Sequence, residues 1–270
     1  MKEIDSAARW IDHASGLVVL SGAGMGVDSG LPDFRGDRGF WKAYPMYERL
    51  GLSFVEAANP EHFEGDPHFG WGFYGHRLNL YRKTTPHQGY SVLKKWAEQR
   101  GKALFFVTSN VDGHFQKAGF DPAQVYEVHG SIHQLQCCRP CSSKIWDNQA
   151  EVAVEESTMR STQVPRCPEC DHVARPNILM FGDFAWISGR SESQAQQFEA
   201  FCQRIGHQNL VALEIGAGLA VPTIRMMTER LARLGTKSIR INPNDPAITS
   251  PNISIRLGGK DALLRLDQAL

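Results

Sequence analysis

Short, predominantly apolar runs punctuate this chain and restrict its fold more than any other feature. Leu17 to Leu20, Ala103 to Val107, Val125 to Val128, Ile178 to Phe181, Leu210 to Ile215, Ser238 to Ile241 and Ile253 to Leu257 are all strand-sized. Such runs suit strands buried on both faces, as in a parallel sheet covered by helices. Helical spacing lies between them: Tyr90, Leu93 and Trp96 form one apolar stripe, and Ile224, Met227, Leu231 and Leu234 form another. Ile4, Ala7, Ala8, Ile11 and Ala14 predict an amphipathic helix at the start. The alternation predicts an α/β fold, a parallel sheet with helices on both faces.

Two stretches break the rhythm. Residues 36–85 are rich in Gly, Trp, Tyr and Phe without a strand pattern, and residues 136–176 carry cysteines and polar filler. Together they predict a small domain, a helical insertion plus a cysteine module. The sheet domain then comprises residues 1–35, 86–135 and 177–270. Trp41, Tyr44 and Trp71 are expected to pack the small domain.

The 29 Lys and Arg balance 29 Asp and Glu, which removes the electrostatic footprint of a general nucleic-acid binder. No apolar run approaches the roughly 20 residues that span a bilayer. The first residues alternate charged and apolar side chains, unlike a secretory leader. The chain is therefore expected to be cytoplasmic, with no nucleic-acid or membrane partner.

Cys167 and Cys170 form a C-x-x-C pair, and Cys141 pairs with either Cys137 or Cys138 at the spacing of a tetrahedral Zn²⁺ site. Four thiolates close the coordination shell, so the zinc would be structural. His133 and His172 flank the cluster as alternative ligands. The isolated Cys202 reads as a buried apolar group.

Gly22-Ala23-Gly24 follows the first strand and Gly216-Ala217-Gly218 follows the Leu210 to Ile215 strand. Glycines at a strand-to-helix turn let main chain approach a phosphate, and ligands of open parallel sheets gather at the carboxyl ends of strands. Thr108-Ser109-Asn110 ends a third strand at the same level. Just past the first turn, Leu31-Pro32-Asp33-Phe34-Arg35-Gly36 sets an Arg beside an aromatic ring.

In order along the chain, Gly22-Ala23-Gly24, Ser29-Gly-Leu-Pro-Asp33-Phe34-Arg35, Thr108-x-Asn110-Val111-Asp112-Gly113, His129-Gly130, two cysteine pairs and Arg175-Pro-Asn-x-x-x-Phe181-Gly182-Asp183 resemble the sirtuin pattern. The resemblance runs from about residue 12 to residue 266. It implies a Rossmann-like NAD-binding domain, a structural zinc, and NAD-dependent removal of acyl groups from lysine side chains of proteins or peptides. By position, the resemblance makes His129 the general base, with Asn110 and Asp112 ordering ribose hydroxyls, water and the nicotinamide amide. It places Gly22, Ala23, Gly24, Asp33, Phe34, Arg35, Ser109, Val111, Gly216, Ala217, Gly218 and Asn242 around NAD, with Phe34 shielding the cleaved bond and Gly258 to Asp261 over the adenine. Phe181 and Gly182 would pair with the substrate as an added strand.

Tyr74-Gly75-His76-Arg77 resembles the Tyr-x-x-Arg of sirtuins that remove succinyl and malonyl groups. A planar guanidinium and a phenol suit an acyl carboxylate. Three departures lie elsewhere: Ser109 replaces the usual Gln, Gly218 the usual Ser, and His114-Phe115 the usual Leu-His. Transfer of ADP-ribose to protein and hydrolysis of NAD are the alternative activities of such a cleft. The cationic series Arg225, Arg230, Arg233, Lys237 and Arg240 reads as a solvated helix face.

Overall fold

A computed structural model describes residues 2–32 and 36–270. In chain order its strands are β1 (Gly16–Ser21), β2 (Ala103–Thr108), β3 (Val125–Glu127), β4 (Gly130–Cys137), β5 (Ile145–Asp147), β6 (Val154–Glu155), β7 (Arg160–Ser161), β8 (Ala174–Ile178), β9 (Leu210–Ile215), β10 (Lys237–Ile241) and β11 (Ile253–Ile255). Six make a parallel sheet in the order β11-β10-β9-β1-β2-β3. Every residue of β1 and β9 is buried, which is why their sequences show no polar alternation.

Helices cover both faces. The Lys2–His13 helix buries Ala7, Ala8 and Ile11, and the Gln88–Arg100 helix buries Tyr90, Leu93 and Trp96. Both pack with Leu17, Val19, Phe106 and Leu213 from one face of the sheet. Val18, Leu20, Phe105 and Ala212 point to the other face and meet Phe198, Phe201 and Cys202 of the Gly189–Ile205 helix, together with Ile224 and Leu231. The strand period of two divides the same runs between two cores.

Residues 36–85 form helices only, the longest being Pro67–Lys83. Its glycines admit close neighbours: a Cβ on Gly72 would lie 1.7 Å from the Met159 carbonyl oxygen, and one on Gly75 would lie 2.4 Å from Val152 Cγ1. The helix is thereby pressed onto the cysteine module, and Phe40, Tyr44, Tyr47, Phe63, Trp71, Phe73 and Tyr74 fill a shared core with Ile132, Leu135, Cys138 and Val152.

One expected strand is displaced. Ile178 to Phe181 does not join the parallel sheet; β8 instead ends at Ile178 and runs antiparallel to β4 in the three-stranded sheet β5-β4-β8. β8 carries polar residues, yet all of it is buried, because Arg175 pairs with Asp183 and Asn177 donates to Gln136 Oε1 at 2.8 Å. The cationic series also departs from expectation. Arg225 and Arg240 are buried: Arg240 forms a bidentate pair with Glu214 across β9 and β10, and Arg225 donates to main-chain carbonyls. Leu234, expected in the apolar stripe, is half exposed. No helix among the described residues is long and apolar enough to cross a membrane.

Candidate active site

Strands β1, β2 and β9 are neighbours in register, so the loops after them emerge side by side. The two glycine turns pack directly on each other. Gly24 N–H donates to the Gly216 carbonyl at 3.0 Å. A Cβ on Gly22 would meet Ala217 Cα at 2.8 Å; one on Gly216, whose φ is +65°, would meet Gly24 Cα at 2.5 Å. Main-chain contact therefore requires glycine at both positions. Asn110 is fastened to this junction, its Nδ2 donating to the Gly22 carbonyl at 3.0 Å and its N–H to Thr108 Oγ1 at 3.0 Å.

The turns form one wall of a cleft of about 520 Å³. On this side it is lined by Gly22, Ala23, Ser109, Asn110, Val111, Asp112, His129, Ala217 and Gly218. Asp112 is buried, and its Oδ1 accepts the His114 N–H at 2.9 Å. His129 stands between β3 and β4, and its carbonyl accepts the Leu179 N–H at 2.9 Å. That bond ties the His129 backbone to the loop that carries Phe181. The His129 Nε2 lies 3.4 Å from Thr223 Oγ1. Burial holds the His129 pKa below the ordinary 6.5, against the smaller opposing effect of a hydrogen bond with the Ser109 backbone. A neutral imidazole is a proton acceptor, the state a general base needs.

The facing wall comes from the insertion: Phe54, Tyr74, Arg77 and Tyr81, with Phe181 beside them. Tyr74, Arg77 and Tyr81 share one face of the Pro67–Lys83 helix. The Arg77 guanidinium carbon lies 5.1 Å from the Phe73 ring centre, 5.5 Å from Tyr81, 5.8 Å from Tyr74 and 5.9 Å from Phe54. Burial opposes its charge, but Tyr81, Tyr44 and Tyr74 more than offset that, and the pKa is raised. Burial pushes the Tyr74 phenol up to about 12, against the pull of Arg77. The pair is thus a fixed cation and a protonated hydroxyl. Phe181 N–H donates to the Ala58 carbonyl at 3.2 Å, and the Asp183 carboxylate, held by Arg175, braces the loop.

The sulfur atoms of Cys137, Cys141, Cys167 and Cys170 all lie within 4.8 Å of one another. Cys138 faces the aromatic core of the insertion and takes no part. Cys137 ends β4 and Cys138 begins the bend that follows, its side chain turned into that core, so Cys137 is the one of the two that reaches the cluster. Four convergent thiols without a histidine fit a closed, structural zinc site.

Residues 22–221 match the model of the Sir2 family. The chain belongs to this family. It is 31% identical over 180 residues to the NAD-dependent protein deacylase of Thermococcus sibiricus, covering 67% of this chain and 65% of that protein. It is 28% identical over 246 residues to the NAD-dependent protein deacetylase of Saccharolobus solfataricus, covering 91% and 88%. A solved structure of a Sir2 homolog–NAD complex superposes with a TM-score of 0.72 over 97% of this chain and 92% of that one, at 22% identity. The α/β architecture with a four-cysteine cluster that fits zinc is thus the Sir2 fold, and NAD is the family's cofactor.

The cleft fits NAD in kind, since the two glycine turns line it at Gly22, Ala23, Ala217 and Gly218 beside the polar residues Asn110, Asp112 and His129. Not every expected sirtuin residue reaches it. Gly24 and Gly216 are engaged with each other behind the surface. Asn242 is fully buried and donates to the Ala217 carbonyl at 2.9 Å, so it stiffens the second turn from below. Gly258 and Gly259 abut Asp28, whose carboxylate accepts the Lys260 N–H at 2.8 Å. Gly182 adjoins the lining residue Phe181. Asp33, Phe34 and Arg35 lie outside the described residues. Tyr81 and Thr223 are among the residues at the site that carried no sequence assignment. Tyr81 was legible as the position one helical turn past Arg77; Thr223, 94 residues from His129, had no local signal.

Proposed function

We propose that this sirtuin is an NAD-dependent protein-lysine deacylase whose pocket takes acidic acyl groups, succinyl and malonyl, as well as acetyl, releasing nicotinamide and O-acyl-ADP-ribose. NAD, when bound, supplies the ribose carbon that the acyl oxygen attacks. His129 takes the proton of a ribose hydroxyl, and its burial keeps it unprotonated until needed. Asn110 and Asp112, fixed to the first turn and to His114, orient the ribose hydroxyls. Tyr74 and Arg77 receive the acyl carboxylate, and the edge at Phe181 and Gly182 pairs with the peptide main chain. The names of the curated relatives support lysine deacylation. The observation that carries the acidic-acyl reading is the charged Arg77, buried beside protonated Tyr74 in the same cleft as His129.

The test is a mass-spectrometric assay with NAD and matched acetyl-, malonyl- and succinyl-lysine peptides. O-acyl-ADP-ribose is expected in step with deacylation. Arg77→Met should lower desuccinylation on the order of a hundredfold, as expected for two charge-assisted hydrogen bonds, while deacetylation falls far less. Equal loss on both peptides sinks the acidic-acyl reading. Free ADP-ribose beside intact peptides would make the chain an NAD hydrolase, and ADP-ribose attached to protein would make it a transferase.

A further inference from the structure

We infer that Tyr81 is a positioning residue for acyl-group selection: its hydroxyl sets the plane of the Arg77 guanidinium for a carboxylate at the end of the acyl chain. The inference rests on the acidic-acyl reading above.

The Tyr81 hydroxyl oxygen accepts two hydrogen bonds from one guanidinium, from Nε at 3.0 Å and from Nη2 at 2.7 Å. Both donors lie on the same edge of the fork, so a single oxygen fixes its rotation about the Cδ–Nε bond. The ring beneath lies 5.5 Å from the guanidinium carbon and sets its height as well. Tyr81 is itself braced. It is buried, and its turn of helix is pinned from the sheet domain by Lys117 Nζ, which donates to the carbonyls of Arg82 at 2.6 Å and Thr84 at 2.7 Å.

Arginine has a long side chain with much rotamer freedom to lose. A guanidinium already held in one plane loses little more when a carboxylate docks, so the geometry adds affinity only for an acyl group that ends in a charge. Acetyl-lysine has no such group and gains nothing from it. Tyr81 therefore acts on selectivity through Arg77.

Tyr81→Phe keeps the ring and removes only the oxygen. The expected result is a fall of about tenfold, the size of one hydrogen bond to a charged group, in the ratio of desuccinylation to deacetylation kcat/KM. The fall should lie in KM for the succinyl peptide with kcat held; the melting temperature should drop modestly, because two donors of a buried cation lose their acceptor. The double variant Tyr81→Phe/Arg77→Met should lose no more of this ratio than Arg77→Met alone, because the two residues act as one unit. A drop with Arg77→Met and none with Tyr81→Phe overturns the inference and leaves the acidic-acyl reading standing. Equal losses on both peptides in Tyr81→Phe show a structural role and overturn it too. A wild-type enzyme that leaves succinyl-lysine intact overturns the reading and the inference together.

Discussion

The two walls of the cleft are made of different material. The wall that ends the parallel sheet is framed by two glycine turns in mutual main-chain contact, with Asn110, Asp112 and His129 set on that frame. The wall from the insertion presents side chains, a buried arginine among tyrosine and phenylalanine rings. A wall framed by main chain fails when a side chain is added between its turns. A side-chain wall recognises one chemical feature, and it fails when a polar atom is taken away. On the proposed reading, the first wall serves NAD and the second the choice of acyl group, so the first can be constant while the second varies.

The largest way to separate the walls is to remove the metal. Structural zinc contributes on the order of 10 kcal/mol to folding of the domain that holds it. Cys137→Ser and Cys167→Ser should lose bound zinc and disorder the insertion wall, while Cys138→Ser keeps zinc, because its sulfur faces the aromatic core. Zinc content and thermal melting read both. A Cys138→Ser variant that loses zinc would overturn the assignment.

His129→Ala should cost roughly 10²–10⁴ in turnover, the usual worth of a general base. It should act on every acyl peptide alike, since the residue serves the wall common to all of them. Loss confined to one acyl group would break the comparison.

Within the glycine wall the effect should follow crowding. Gly216→Ala forces a Cβ to within 2.5 Å of Gly24 Cα at a left-handed φ, and should cost roughly 1–3 kcal/mol of stability and weaken ADP-ribose binding. Gly218→Ala meets nothing within 4 Å and should stay within about 0.5 kcal/mol. Calorimetric melting and ADP-ribose titration distinguish the two.

The smallest expected effect is on pH. His129 is held below 6.5 by burial, so its active neutral form persists into mildly acid solution, and the acid limb of kcat/KM should fall below that value. An acid limb above 6.5 would show that a different group carries the proton.

Much of the first wall was legible because its requirements are local. A strand, a tight turn and a helix start follow from neighbouring residues, which marked the Gly22 turn and the strand end at Asn110; the roles of Asn110, Asp112 and His129 came from the sirtuin resemblance, and all four residues line a single cleft. The second wall was only partly legible. Tyr74 and Arg77 could be paired by helical spacing, but what surrounds Arg77 comes from distant segments. Ile178 to Phe181 looked like a buried strand because it is apolar. The observed strand includes Arg175 and Asn177, whose burial depends on partners elsewhere in the fold.

By itself the sequence determined the parallel α/β class, the two glycine turns, the zinc pairs and the order of the motifs. These follow from periodicity, turn chemistry and ligand spacing, which are short-range properties of a chain. The tertiary structure alone decided that Cys137 rather than Cys138 joins the cluster, that Arg225 and Arg240 are buried, that Asn242 supports a turn, and that Tyr81 holds Arg77. Each of these depends on which face of a strand or helix meets which neighbour. A charged or polar side chain is buried only where a partner from another part of the chain offsets its desolvation.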